Sequence, residues 1–139
     1  MTAIDLMTAN PVTATPQASI AEIWDLMGER DIRHVPIVED GALVGIVSDR
    51  DLGHLDMTSL LAVEGAQALR EALEAPIVNT MSADVISIEP DTDVSEIVDL
   101  LIEHKVGALP VVLPGTDTII GIVSYVDVLR ALRERLPRP

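Results

Sequence analysis

Two stretches of the chain place apolar side chains at helical spacing behind the same kind of polar start. Ser19 and Asp93 each stand three residues before a glutamate, which is the pattern of a helix capping box. Behind each start, apolar residues recur every three or four positions, and this spacing predicts one buried stripe per helix. The two stripes are Ile20, Ile23, Trp24 and Met27, and Val94, Ile97, Val98 and Leu101. We therefore expect two equivalent helices. Trp24 lies on the first stripe, so we interpret it as a core residue; lining a ligand-binding cleft is the less favoured alternative.

Each predicted helix ends near a residue that suits the negative end of the helix dipole, Arg30 or His104. Two short β-rich runs follow each helix and are typical of strands, residues 35–38 and 43–47 in one case and 109–112 and 119–123 in the other. A second helix is predicted behind each pair of strands, where a Ser-x-x-Asp pattern again resembles a capping box.

The two halves of the chain are therefore repeats of one another. Residues from 7 onward match residues from 81 onward at an offset of 74, which becomes 76 after a longer second turn. Each repeat is predicted to run strand, helix, strand, strand, helix, so the fold class is α/β. We predict one module over residues 1–139, with the first repeat at 7–55, the second at 77–136, and an acidic, Ala- and Leu-rich helical linker at 56–76.

Composition excludes several classes of partner. Nine basic against 23 acidic side chains give a formal charge of −14, which disfavours nucleic acid and anionic membrane surfaces. No apolar run approaches the length of a membrane span, and the first twenty residues do not resemble a signal peptide, so we expect a cytoplasmic protein. The arginines at the C-terminal end are interpreted as a solvated helix end; they are Arg130, Arg133, Arg135 and Arg138.

Catalysis is not predicted from these residues. The chain has no cysteine, no Gly-rich phosphate loop and no recognisable nucleophile with a His and carboxylate pair. His54 and Asp56 could be drawn as a metal pair, but two ligands without a third are weak support, and a solvent-exposed histidine is the favoured interpretation. We expect no enzyme activity, no metal and no required cofactor.

Two sets of motifs, in the same order and at matching spacing, resemble the CBS family. They are residues 5–16, 33–38 and 45–52 in the first repeat, and residues 106–112 and 121–128 in the second. The resemblance implies two CBS repeats packed with pseudo-twofold symmetry around two related clefts, in a module that commonly forms homodimers. In nucleotide-binding members, the Ser/Thr and Asp of one repeat act with the first strand and the helix-to-strand corner of the other repeat.

The first cleft implied by this resemblance joins the second helix start of repeat one to repeat two. Its candidate ligand-binding residues are Ser48, Arg50, Asp51, Met81, Asp84, Ile86, Val106 and Gly107. The chemistry of these residue types is consistent with an adenosine-type ligand. A carboxylate can accept both ribose hydroxyls, an apolar slot fits a purine face, and an arginine at a helix start suits phosphate.

The second cleft joins repeat two to the corner of repeat one. Its candidate residues are Ser124, Asp127, Met7, Asn10, Val12, Ile32, Arg33 and His34. Val126 replaces the arginine found at position 50, so the positive charge here would come from the corner. Two alternatives remain open at this point: Ser-x-x-Asp can be a helix cap only, and Arg33 and His34 can form a surface pair with Glu29 or Asp31.

The predicted function is the binding of a regulatory ligand, AMP, ADP, ATP or S-adenosylmethionine, in one or both clefts. The clefts are not equivalent, and the one containing Arg50 and Asp51 is expected to be the better site. The alternative is a dimeric interaction module that acts on a partner protein without any ligand.

Overall fold

The computed structural model describes residues 1–53 and 56–139, and its elements follow the repeat. The helices are α1 (Ala3–Leu6), α2 (Ile20–Arg30), α3 (Asp49–Gly53), α4 (Met57–Glu64), α5 (Ala66–Glu74), α6 (Val94–His104) and α7 (Tyr125–Arg135), with one 3-10 turn at Ile77–Asn79. The strands are β1 (Thr8–Ala9), β2 (His34–Glu39), β3 (Ala42–Ser48), β4 (Ala108–Val112) and β5 (Ile119–Ser124). The mixed α/β fold class is confirmed. The initial strand of each repeat is very short, two residues in β1 and a single bridge at Ser82 in the second repeat.

Helices α2 and α6 begin and end at equivalent positions. Ser19 forms the capping box expected from the sequence: its side chain accepts from the backbone N–H of Glu22, and the Glu22 carboxylate accepts from the Ser19 N–H. Asp93 also caps its helix, but its carboxylate accepts from Ser95 rather than forming a box. Both helices end at a residue in the left-handed region, which turns the chain toward the next strand.

The segment between the repeats is helical but not continuous. Helices α4 and α5 meet at Gly65, whose φ of 91° lies in the region that favours glycine. Asp56 caps α4 by accepting from the Ser59 N–H at 3.0 Å. Within the described residues, no helix is both long and apolar enough to cross a membrane.

The chain divides into two compact units, each with its own core. Unit 1 comprises residues 1–11, 41–43 and 85–139, and its sheet has the order β1-β5-β4. Unit 2 comprises residues 12–40 and 44–84 and contains the β2-β3 pair. Buried side chains at equivalent positions form the two cores; they include Ile97, Leu109, Val111, Val123 and Val128 in unit 1, and Ile23, Val35, Ile37, Val47 and Leu52 in unit 2.

The prediction that Trp24 belongs to the core is wrong. The buried residues of α2 are Ile20, Ile23 and Met27, whereas Trp24 is 47% exposed. Successive residues on a helix are rotated by about 100°, so a side chain next to Ile23 lies at the edge of the stripe. The equivalent stripe on α6 has Ile97 as its buried centre, with Val94, Val98 and Leu101 packed against it.

The segment at the start of each half of the chain packs with the other repeat. Ala3 and Ile4 donate backbone hydrogen bonds to the carbonyls of Thr92 and Pro90, within unit 1. Ile77 and Val78, at the equivalent positions, donate to the carbonyls of Ala18 and Pro16, within unit 2. The boundaries of the compact units therefore differ from the boundaries of the repeats in the sequence.

The exchanged segments then run beside the second strand of the other repeat. Strand β1 pairs antiparallel with β5, with Thr8 opposite Ile122, and Ser82 exchanges two 3.0 Å hydrogen bonds with Ile46 of β3. At both places a methionine lies over a glycine of the strand, Met7 over Gly121 and Met81 over Gly45. A Cβ atom at either glycine would collide with the methionine side chain, so the close approach depends on glycine.

We expect Gly121→Ala to destabilise unit 1, because the new methyl group would meet the sulfur, Cγ and Cβ of Met7. Overpacking of this kind costs about 1 to 3 kcal/mol in the free energy of unfolding, to be measured by urea denaturation. Gly45→Ala should cost less, because it meets the outer atoms of Met81, which can move.

Gly28→Ala is the control for this experiment. Gly28 lies within α2 with open space around its Cα, so alanine should leave stability unchanged or raise it by roughly 0.5 to 1 kcal/mol. Equal effects of all three substitutions would contradict the packing described here.

Candidate functional site

The two Ser-x-x-Asp motifs form the same structure at the starts of α3 and α7. The Asp51 carboxylate accepts from the Ser48 N–H at 2.9 Å, and the Ser48 hydroxyl oxygen accepts from the Asp51 N–H at 3.2 Å. The Asp127 carboxylate accepts from the Ser124 N–H at 2.8 Å and from the Ser124 hydroxyl at 3.0 Å. Both Ser-x-x-Asp motifs therefore cap their helices.

Capping leaves part of each carboxylate available. The three bonds that the two carboxylates accept all end on Oδ2. Among the groups that the structure describes, none donates a hydrogen bond to Oδ1 of Asp51 or Asp127, and both side chains are half-buried. A rigid carboxylate with a free oxygen suits a ligand that donates hydroxyl groups.

Each capped helix start lies in the same unit as a methionine that belongs to the other repeat in the sequence, Met81 for Ser48 and Met7 for Ser124. Unit 2 contains Met81 and Asp84 of the first cleft together with Ser48, Arg50 and Asp51, and the strand that Met81 covers ends at Ser48. Arg50 and Asp84 are exposed.

Unit 1 contains the equivalent set from the second cleft: Ser124, Asp127, Met7 and Asn10. Asn10 is in the left-handed region, with a φ of 49°, and its N–H donates to the Ile120 carbonyl at 3.1 Å. This bond continues the pairing of β1 with β5, which leads directly to Ser124.

The remaining residues of each predicted cleft belong to the other unit. Ile86, Val106 and Gly107 of the first cleft lie in unit 1, and Val12, Ile32, Arg33 and His34 of the second lie in unit 2. The joining of these groups into clefts stays a prediction.

The corner before β2 carries the positive charge expected from the sequence, but its partner was not foreseen. Arg33 Nη1 lies 3.1 Å from Asp49 Oδ2, and the two side chains are 69% and 49% exposed. The surface ion pair expected for Arg33 as an alternative is therefore present. Its expected partner, Glu29 or Asp31, is wrong, because the partner is Asp49. Asp49 could have been suspected only by placing the end of β3 beside the start of β2, where the Asp49 N–H donates to the Arg33 carbonyl at 2.9 Å.

His34 differs electrostatically from its neighbour Arg33. Burial lowers the pKa of His34 below its usual 6.5, and the carboxylates of Asp49 and Asp51 oppose this shift only in part. The imidazole is therefore neutral near pH 7 and can offer a hydrogen bond but no charge. Arg33 is the cation of this corner.

A pocket of about 250 Å³ lies in unit 2 beside this corner. Its lining combines an aromatic side chain, apolar groups and both members of the ion pair; the residues are Trp24, Met27, Gly28, Asp31, Ile32, Arg33, Asp49 and Leu52. Exposed Trp24 thus forms part of the wall of this pocket.

No group of three His, Cys, Asp or Glu side chains is placed to hold an ion within residues 1–53 and 56–139. His54, which entered the weak metal pair, lies outside the described residues. Hydrogen bonds from Ser59 lower the pKa of Asp56, consistent with its role as a cap.

Comparison with known proteins identifies the family. The model of the CBS domain matches residues 3–55 and 67–134, most of the chain, and the chain belongs to this family as a tandem pair of CBS domains. An uncharacterized 33.4 kDa protein of Thermofilum pendens is 35% identical over 135 residues, which are 96% of this chain and 43% of that protein. The chain thus spans less than half the length of this relative.

Two solved structures with the same fold contain adenosine compounds. The CBS domain pair of protein MJ0100, in complex with 5′-methylthioadenosine and S-adenosyl-L-methionine, is 25% identical, with a TM-score of 0.80 over 98% of each chain. CBSX2 in complex with AMP is 28% identical, with a TM-score of 0.78 over 96% of this chain and 97% of that one.

Proposed function

We propose that this CBS pair is a regulatory module that binds an adenosine-type ligand, and that it is not itself catalytic. The observation that carries the proposal is the doubled helix start, in which a serine fixes an aspartate carboxylate whose second oxygen accepts no hydrogen bond among the described groups. The ligands of MJ0100 and CBSX2 share a ribose and an adenine, which is the chemistry that such a carboxylate and an apolar slot can recognise.

In the proposed first site, Asp51 accepts the ribose hydroxyls, Met81, Ile86 and Val106 contact the base, and Arg50 contacts a phosphate. Arg50 is exposed, so its guanidinium can reach an anionic group without losing a buried partner. In the proposed second site, Asp127 takes the ribose and Arg33 takes the phosphate. The second site is the weaker of the two, because Arg33 is already paired.

Regulation follows when the ligand binds one arrangement of the module more tightly than another. A ligand with equal affinity for both arrangements would shift nothing, so the contacts must differ between the two states. Which of AMP, ADP, ATP and S-adenosylmethionine fits best depends on the charge at Arg50 and Arg33. A ligand without phosphate would rely on the ribose and base contacts.

We expect Asp51→Asn to weaken AMP and adenosine binding to the first site by about tenfold or more, because hydrogen bonds to a charged group contribute about 1.5 to 3 kcal/mol. Asparagine can still accept from the Ser48 N–H, so the helix cap and the stability should be retained. Isothermal titration calorimetry and urea denaturation on the same preparations measure the two effects.

Asp25→Asn is the matched control, because it makes the same charge change at an exposed position of α2. Unchanged affinity in Asp51→Asn would contradict the proposed ribose contact. The absence of binding heat for AMP, ADP, ATP, adenosine and S-adenosylmethionine at millimolar concentration in the unmodified chain would favour the interaction module that acts without a ligand.

We also propose that the module forms a homodimer through α6 and α7, which contact each other in unit 1. Several large apolar side chains of these helices are exposed: Ile102 at 69%, Tyr125 at 47%, Leu129 at 57% and Leu132 at 49%. Leu129 and Leu132 are three residues apart and share one face of α7. Apolar surface of this kind is typical of an interface, and the family resemblance implies that its occupant is a second copy of the chain.

We expect sedimentation equilibrium to find a dimer for the unmodified chain and a monomer for Leu132→Asp, because the carboxylate would be buried unpaired in the interface. Val63→Asp, at an 81% exposed residue of α4, introduces the same charge elsewhere and should remain dimeric. A monomeric unmodified chain would contradict the dimer, and a dimeric Leu132→Asp would contradict this interface.

A further inference from the structure

The corner of repeat one has an ion-paired arginine, Arg33, where the corner of repeat two has Gly107. In both repeats, the first residue of the second helix donates a backbone hydrogen bond to the residue before the first hairpin strand. Asp49 donates to the Arg33 carbonyl at 2.9 Å, and Tyr125 donates to the Gly107 carbonyl at 3.0 Å. Only the first repeat adds an ion pair between the side chains. The backbone bond therefore forms without the ion pair, and the fold does not require it.

The pair is accessible and easily broken. The Arg33 and Asp49 side chains are 69% and 49% exposed, and ion pairs at such positions contribute about 0.2 to 1 kcal/mol. An incoming phosphate can form a charge-assisted, bidentate contact with a guanidinium, which a single 3.1 Å contact with a carboxylate does not match. Phosphate can thus displace Asp49 from Arg33. Its net binding is weakened by the free energy needed to break the ion pair.

Few other positive charges are present to bind an anionic ligand at this corner, so the competition for Arg33 affects its affinity. The whole chain carries a formal charge of −14, so an anionic ligand depends on local positive charge. His34, next in the sequence, is neutral near pH 7 because burial lowers its pKa, so it does not replace the arginine. When Asp49 neutralises Arg33, this corner loses its positive charge.

We propose that Asp49 is a specificity-determining residue that competes with the phosphate of a ligand for Arg33. The inference rests on the proposed function in one respect, that Arg33 serves the second ligand site. Asp49 weakens ligands that rely on phosphate at this corner and leaves those bound through ribose and base unaffected. The ion pair therefore biases the second site toward ligands of low negative charge and makes the two sites of the module inequivalent.

Trp24 offers a direct measurement of this competition. It is the only tryptophan of the chain, and it lines the same pocket as Arg33 and Asp49, so its fluorescence responds to occupation of the corner. Tripolyphosphate is a suitable probe because it carries the phosphate chemistry without a nucleoside. Its titration tests the competition even if no nucleotide binds.

We expect Asp49→Asn to bind tripolyphosphate roughly two- to fivefold more tightly than Asp31→Asn, as the free energy of an exposed ion pair implies. Asp31→Asn is the matched control, because Asp31 lines the same pocket and the substitution makes the same charge change without touching the pair. Asparagine is also tolerated at the left-handed φ of residue 31. In an Arg33→Ala background, the difference between Asp49→Asn and Asp31→Asn should vanish.

Equal affinities of Asp49→Asn and Asp31→Asn would overturn the inference, as would the same gain in the Arg33→Ala background or the lack of a saturable response in Asp49→Asn. Calorimetry with AMP and adenosine separates this outcome from the proposed function. Asp49→Asn should strengthen AMP binding at the second site and leave adenosine unchanged. If neither compound binds while the tripolyphosphate difference persists, the proposed nucleotide function fails and the competition stands.

Discussion

The exchange of the segments at the start of each half of the chain is the constraint on which the rest of the structure depends. Each repeat has a helix, a hairpin and a second helix, but its sheet and core are completed by residues that belong to the other repeat in sequence. Ala3 is fully buried in the core of unit 1 and Ile77 in that of unit 2. Because matching backbone hydrogen bonds hold both segments, neither half of the chain can form a complete unit alone. The requirement for glycine at positions 45 and 121 follows from the same exchange.

The exchange also brings together those groups of each proposed ligand site that lie in one unit. It brings a methionine segment into the unit where a strand ends in serine and a capped helix begins. The cap holds the aspartate carboxylate still, and a fixed carboxylate binds a diol with less loss of side-chain entropy than a mobile one. In the proposed function, stability and binding thus use the same side chain through different oxygens, Oδ2 for the cap and Oδ1 for the ligand, and a substitution that removes the carboxylate tests both. Asparagine separates the two because it keeps the hydrogen bond and removes the charge.

Local features of the fold were predictable from the sequence, and long-range ones were not. The period of apolar positions and the Ser-x-x-Asp and Ser-x-x-Glu patterns report on contacts within four residues, so the helices and caps at Ser19, Ser48 and Ser124 were foreseen. The family resemblance supplied the candidate site residues, whose joining into clefts remains a prediction. Trp24 was misplaced because the same spacing fits both the centre and the edge of a stripe. The partner of Arg33 was missed because Asp49 is sixteen residues away and reaches it only through the hairpin.

Hydrogen exchange with and without AMP tests the central claim most directly, because it locates binding along the chain without any substitution. If the doubled helix start is the ligand site, AMP should slow amide exchange around residues 48–52 and 106–109, where Asp51 and the second corner lie. A weaker effect is expected around residues 33–36 and 124–128. Unchanged exchange at all four segments, or protection confined to α4 and α5, would contradict the account.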